Sequence, residues 1–224
     1  MVSNPTGQRL RRTTMTAGTH TDPRLVTSGP RTGARAVVLL LHGGQATGTE
    51  PAARGLAYLR MAPFARSVVR ATRDRDVAVW LLRYRVRGWN EPVKHPLQDG
   101  RWALGEARRL HPDAPLVLIG HSMGGRVALR LTAEPGVAGV CALAPWVEFG
   151  EPAPPRSTAS VLIAHGDRDR VTDPEASAAY AARIGATFVP VPGEGHAMLR
   201  RPIFWSRLVT GFVASTLGVT SPRG

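Results

Sequence analysis

Residues 116–125 (LVLIGHSMGG) constrain the fold of this chain more than any other segment. Four apolar residues predict a buried strand, which leads directly into a Gly-x-Ser-x-Gly motif, and the residues after Gly125 predict a helix. A serine on a sharp strand-to-helix turn is held exposed, provided that the residues packed around the turn are small. The segment therefore predicts a nucleophilic serine, Ser122, between a strand and a helix.

Apolar runs and amphipathic segments alternate along the rest of the chain. Strands are predicted at 36–41, 77–82, 116–119, 137–143, 161–164 and 188–191, and helices at 63–74, 97–110, 125–133, 174–184 and 202–217. The first of these helices is expected to begin at Pro63, because proline favours the first turn of a helix. This alternation predicts an α/β fold with a mostly parallel sheet of six to seven strands and helices on both faces.

The predicted domain spans residues 23–218. Residues 1–22 are rich in Thr, Gly and Arg and are expected to form a flexible basic tail in which Met15 is an alternative start, and residues 219–224 a flexible C-terminus. The stretch 144–158 contains Pro145, Trp146 and Phe149 and is too short for a helical cap. We therefore expect an open site with the two aromatic residues as its local wall.

Composition narrows the classes of function. The net charge is +13, but the excess is nearly all arginine, with Lys94 the only lysine, and the arginines are scattered along the chain. No nucleic-acid-binding module is recognisable, so we expect no specific nucleic-acid partner.

No apolar run is long enough for a membrane helix, which predicts a cytoplasmic protein without a membrane partner. The single cysteine, Cys141, is expected in the core, and a homodimer is left open.

Four segments in this order resemble the α/β-hydrolases: LHGG at 41–44, GHSMG at 120–124, HGDRD at 165–169 and GEGH at 193–196. The resemblance covers residues 35–217 and is strongest to small serine hydrolases without a cap, such as carboxylesterases and dienelactone-hydrolase-like enzymes. It implies the α/β-hydrolase fold. Dienelactone hydrolases carry cysteine where this chain has Ser122, so a dienelactone substrate is not expected.

The same resemblance implies a catalytic triad. A serine nucleophile needs a base and a third group that orients the base, and in this family the chain order is serine, acid, histidine. The base is then His196. Three carboxylates compete for the acid, and the family pattern selects Asp169, whereas Asp167 is expected to tie down the loop backbone and Asp173 is the third candidate.

The predicted oxyanion hole consists of two backbone N–H groups. One belongs to Met123, after the nucleophile, and by resemblance the other belongs to Gly44, with Gln45 as the alternative. Predicted substrate contacts are Gln45, Arg85, Trp89 and Trp146.

Arginine occupies three alternate positions of one loop, at Arg83, Arg85 and Arg87. Side chains at alternate positions of an extended loop share a side, so this group could bind an acidic substrate. The competing interpretation is that one of the three braces the loop on Glu91 or Asp99.

The sequence therefore predicts a serine hydrolase that cleaves an ester or thioester through an acyl-enzyme, without cofactor or metal. An acyltransferase or cyclase would use the same residues, and a catalytically silent ligand-binding protein is the alternative from a different class.

Overall fold

The structure is a computed structural model that describes residues 22–52, 55–198 and 200–218. The predicted N-terminal tail, apart from Asp22, and the predicted C-terminal segment lie outside the described residues. No helix in these three ranges is long and apolar enough to cross a membrane.

A seven-stranded sheet forms the centre of the domain, in the order β1-β3-β2-β4-β5-β6-β7. The edge strand β1 runs antiparallel to β3, and all other neighbours are parallel. This agrees with the predicted α/β-hydrolase architecture. The strands are β1 Arg24–Ser28, β2 Ala36–Leu41, β3 Val77–Arg83, β4 Leu116–His121, β5 Val137–Leu143, β6 Ser160–Gly166 and β7 Thr187–Val191.

Within the described ranges, five helices cover the two faces of the sheet: α1 Leu56–Ala71, α2 His95–Leu110, α3 Met123–Arg130, α4 Pro174–Ile184 and α5 Pro202–Thr216. Apolar side chains of α1 and α5 pack on one face, and those of α2, α3 and α4 pack on the other. The central strands β2 and β4 are buried along their whole length, which explains their uninterrupted apolar sequences.

Two elements differ from the prediction. The antiparallel strand β1 was not predicted, because its sequence RLVTS is mostly exposed and lacks an apolar run. Helix α1 begins at Leu56, seven residues before Pro63, which lies inside the helix. Burial of Tyr58 and Met61 against the sheet stabilises the first turns, although Pro63 cannot donate a helical hydrogen bond.

The loops at the carboxyl ends of the parallel strands lie at one edge of the sheet, where α/β proteins bind their ligands. Residues 144–158, after β5, contain neither helix nor strand, so this segment forms no cap.

Candidate active site

Ser122 occupies a strained turn between β4 and α3, with φ 57° and ψ −120°. Both glycines of the motif are required, because backbone atoms of other residues approach them too closely for a side chain. A Cβ on Gly120 would overlap the backbone of Gly124, and one on Gly124 would overlap the carbonyl of Leu41. The small residues thus let strand and helix meet closely enough to present the serine side chain.

Ser122, His196 and Asp169 form one chain of hydrogen bonds. The Ser122 Oγ lies 3.1 Å from His196 Nε2, and His196 Nδ1 lies 2.8 Å from Asp169 Oδ2. The three residues come from the turn after β4, the loop after β7 and the loop after β6. The structure therefore brings together the three side chains that the family pattern selects.

The carboxylate of Asp169 is inaccessible to solvent and accepts five hydrogen bonds. Backbone N–H groups of Val171 and Thr172 donate to Oδ1, and His196, His165 and the Thr172 hydroxyl donate to Oδ2. Burial alone would raise the pKa of this carboxyl group, but the hydrogen bonds hold its pKa well below its usual range. Asp169 thus stays ionised beside His196.

The other two carboxylates have separate tasks. Asp167 Oδ1 accepts from the backbone N–H of Gly193, at 2.6 Å, and so ties down the loop that carries His196. Asp173 caps α4 by accepting from the backbone N–H groups of Glu175 and Ala176. The prediction that Asp167 fixes loop backbone is confirmed.

Two further buried groups hold the loop around His196. His121 Nε2 lies 2.9 Å from the backbone carbonyl of His196, and its ring packs on the His196 ring. Burial lowers the pKa of His121 to about 3, so it remains neutral. Glu194, which is 1% exposed, accepts from Trp205 Nε1 on α5. The sequence did not single out Glu194, because a glutamate in a glycine-rich loop is usually solvated.

Gly44 lies directly against Met123 and Arg87, since a Cβ on Gly44 would overlap the Met123 side chain and the Arg87 carbonyl. The backbone N–H groups of Gly44 and Met123 have no hydrogen-bond partner within the described ranges. The N–H of Gln45 donates to the Arg87 carbonyl, at 3.0 Å. Of the two candidates in this loop, Gly44 is therefore the one with a free donor.

A cavity of about 270 Å³ opens beside Gly44 and Gln45. The start of α1 contributes Leu56 and Tyr58 to its lining, and Arg87 lies at its wall. The Arg87 guanidinium pairs with Glu50 at 3.0 Å, and both side chains are exposed. The cavity is mainly apolar, with Arg87 in its lining. It lies next to the serine turn through Gly43, since a Cβ on Gly43 would lie 3.4 Å from Ser122 Cβ.

Arg85 and Trp89 do not line this cavity. The Arg85 guanidinium pairs with the buried Asp99 of α2 at 2.5 Å, as in the interpretation that an arginine braces the loop. Trp89 is buried and packs edge-on against Trp146, with Arg126 stacked 4.6 Å from both rings. Trp146 itself is half-buried, and its backbone N–H donates to the Ser122 carbonyl. Of the predicted substrate contacts, Gln45 lines the cavity and Trp146 is bonded to the serine turn.

Residues 87–201 match the model of a family described as an alpha/beta hydrolase domain. The chain belongs to the α/β-hydrolase family. No curated protein matches it significantly.

Several solved structures share its fold. A serine hydrolase homologue from Coxiella burnetii is 18% identical over 84% of this chain and 90% of its own, with a TM-score of 0.64. A serine hydrolase without lid from Xanthomonas campestris is 21% identical over 88% and 91%, with a TM-score of 0.66. Est1E from Butyrivibrio proteoclasticus, bound to ferulic acid, is 15% identical over 88% and 96%, with a TM-score of 0.66.

Proposed function

We propose that this α/β hydrolase cleaves a small ester or thioester through an acyl-enzyme, with Ser122 as nucleophile, His196 as base and Asp169 as the group that orients the base. The observation that carries the proposal is the continuous hydrogen-bond chain from Ser122 Oγ through both ring nitrogens of His196 to the Asp169 carboxylate.

In the first half-reaction, Ser122 Oγ attacks the carbonyl carbon while its proton passes to His196 Nε2. The oxyanion that forms accepts hydrogen bonds from the free N–H groups of Gly44 and Met123. The tetrahedral intermediate then collapses, and His196 returns the proton to the leaving alcohol or thiol. In the second half-reaction, water attacks the acyl-enzyme and gives a proton to His196. His196 then passes this proton to Ser122 Oγ as the bond to the acyl group breaks and the acid leaves.

The surroundings support a small substrate. The cavity beside Gly44 holds on the order of nine water-sized groups. Residues 144–158 form no cap over it. An esterase from Thermogutta terrifontis with butyrate bound and Est1E with ferulic acid bound share the fold, which supports ester chemistry.

Labelling with a fluorophosphonate tests the nucleophile. We expect the wild-type protein to react stoichiometrically, and Ser122→Ala to lose both labelling and ester hydrolysis while melting at the same temperature. A folded Ser122→Ala that retains hydrolysis within a few-fold of wild type would contradict the proposal. A wild type that never reacts would instead indicate a ligand-binding protein.

Product analysis separates the hydrolase from an acyltransferase with the same triad. Ester and thioester substrates graded by acyl length are supplied with and without an alcohol acceptor. A hydrolase releases the free acid at a rate that the acceptor does not lower. Predominant transfer to the acceptor would contradict the assignment to hydrolysis.

A further inference from the structure

His165, near the end of β6, is a buried histidine that the proposed reaction does not use. Its side chain is inaccessible to solvent. Nε2 lies 3.1 Å from Asp169 Oδ2, and Nδ1 lies 2.9 Å from the hydroxyl of Ser177 on α4. The acid of the triad therefore contacts two histidines, His196 on one side and His165 on the other.

The partners of His165 determine where its ring hydrogen lies. An ionised carboxylate only accepts hydrogen bonds, so His165 Nε2 carries the hydrogen and donates it to Asp169. In the neutral ring Nδ1 is then an acceptor, and the hydroxyl of Ser177 is the donor that faces it. Ser177 is completely buried, so water does not compete for this bond. The hydroxyl thus fixes the tautomer of His165.

Three donors meet at a single oxygen of Asp169. The distances to Oδ2 are 2.8 Å from His196 Nδ1, 2.8 Å from the Thr172 hydroxyl and 3.1 Å from His165 Nε2. A carboxylate oxygen offers about two lone pairs, so the three donors share them. Each further donor to Oδ2 therefore weakens the hydrogen bond between Asp169 and His196.

We propose that His165 is a positioning residue that limits how strongly Asp169 stabilises the protonated form of His196. The inference rests on the proposed function, in which His196 accepts the proton of Ser122 and later releases it to the leaving group. A base must be neutral to start this cycle. By sharing the carboxylate, His165 keeps His196 neutral, and hence active, at lower pH than an unshared Asp169 would allow.

The other charged groups around this pair are few in the part of the chain that the structure describes. His121 faces His196 from β4 and is neutral, because burial lowers its pKa to about 3. Arg60 on α1 acts electrostatically on His121. Glu194, on the same loop as His196, is directed to Trp205. Substitution of His165 therefore changes how much of the Asp169 carboxylate is left to bond with His196.

The test compares His165→Leu, which removes the donor, with His165→Gln, which offers an amide N–H in its place. The readout is the rate at which a fluorophosphonate labels Ser122 across a pH series, which requires no natural substrate. We expect the acidic limb of this profile to move to higher pH in His165→Leu by on the order of half a pH unit. His165→Gln should restore most of the wild-type limb.

Ser177→Ala removes only the hydroxyl that fixes the tautomer, and it should fold, because alanine suits a helix. It should move the acidic limb in the same direction by a smaller amount, and it decides the question alone if His165→Leu does not fold. Ser206→Ala on α5, whose hydroxyl contacts Ser67, is the matched control and should leave the limb unchanged.

Unchanged acidic limbs in folded His165→Leu and Ser177→Ala, with rates lowered equally at every pH, would assign His165 a purely structural role and overturn the inference. A wild-type protein that does not react with the probe would overturn the proposed function itself, so the two failures are distinguishable.

Discussion

The two sides of Ser122 are built differently. On the acid side, the Asp169 carboxylate is inaccessible to solvent and accepts five hydrogen bonds, which together fix its position. On the other side, Gly44 and Gln45 are exposed, and Gln45 is held by backbone hydrogen bonds to Arg87 and Trp89. The groups proposed to move protons are thus fixed, whereas the surface proposed to receive the substrate is open.

The acid side and the open side differ because different segments pack against their loops. Helix α4 and strand β7 pack against β6, and the loop after β6 is bonded to the loop after β7 through Asp167 and the Arg168 N–H. The loop after β2 pairs with residues 85–90 of the loop after β3. Residues 144–158 form no helix that could close over it. Fixed groups of the proposed triad beside an open surface suit an enzyme whose chemistry is set but whose substrate range depends on loops.

The largest expected effect is on the acid side. Asp169→Asn should lower kcat by about 10³- to 10⁴-fold, because an amide cannot hold His196 in the tautomer that accepts the Ser122 proton. Asp167→Asn is the matched control. It should lower kcat only slightly, since the amide oxygen can still accept from Gly193. Ester hydrolysis is measured on folded protein, and the reverse ranking would move the acid to Asp167.

A smaller effect is expected on the open side from Gly44→Ala. The added Cβ would overlap the Arg87 carbonyl, so the loop must shift and move the Gly44 N–H away from the oxyanion. Loss of one such donor lowers kcat by about a hundredfold or more. Gly105→Ala, where a Cβ meets nothing within 4 Å, is the control. Wild-type kcat in Gly44→Ala would show that the second donor lies elsewhere.

The acid side was largely predictable from the sequence. A buried strand and two obligatory glycines predicted Ser122 from local backbone geometry, whereas Asp169 and His196 followed from the chain order and spacing of the family that the sequence resembles. The sequence also assigned Asp167 to the loop backbone, which the hydrogen bond to Gly193 confirms.

The open side was harder to predict, because it depends on contacts between distant segments. Arg85 is paired with Asp99 and Trp89 is buried beneath Trp146, although both lie in a loop expected to border the site. The first turns of α1, which line the cavity, were missed because Pro63 suggested a later start. The role of His165 was not predicted, since nothing in its spacing shows that it shares the Asp169 carboxylate with His196.

The smallest expected effect is on the open side and concerns the stability of the protein in acid. His42, at the base of the open loop, packs between Tyr58 and Tyr84, and its Nδ1 donates to the Gly43 carbonyl. Burial lowers the pKa of His42 from 6.5 to about 4. Between these values the unfolded chain binds a proton that the folded protein does not. The free energy of unfolding therefore falls as the pH falls from 6.5 to about 4, by up to about 3 kcal/mol.

His42→Asn keeps a donor for the Gly43 carbonyl but removes this titration. Its free energy of unfolding, measured with urea across this pH range, should therefore depend on pH less steeply than that of wild type. Part of the slope should remain, because burial also lowers the pKa of His121, to about 3. A slope in His42→Asn as steep as in wild type would show that His42 is not the acid-sensitive group of the open side.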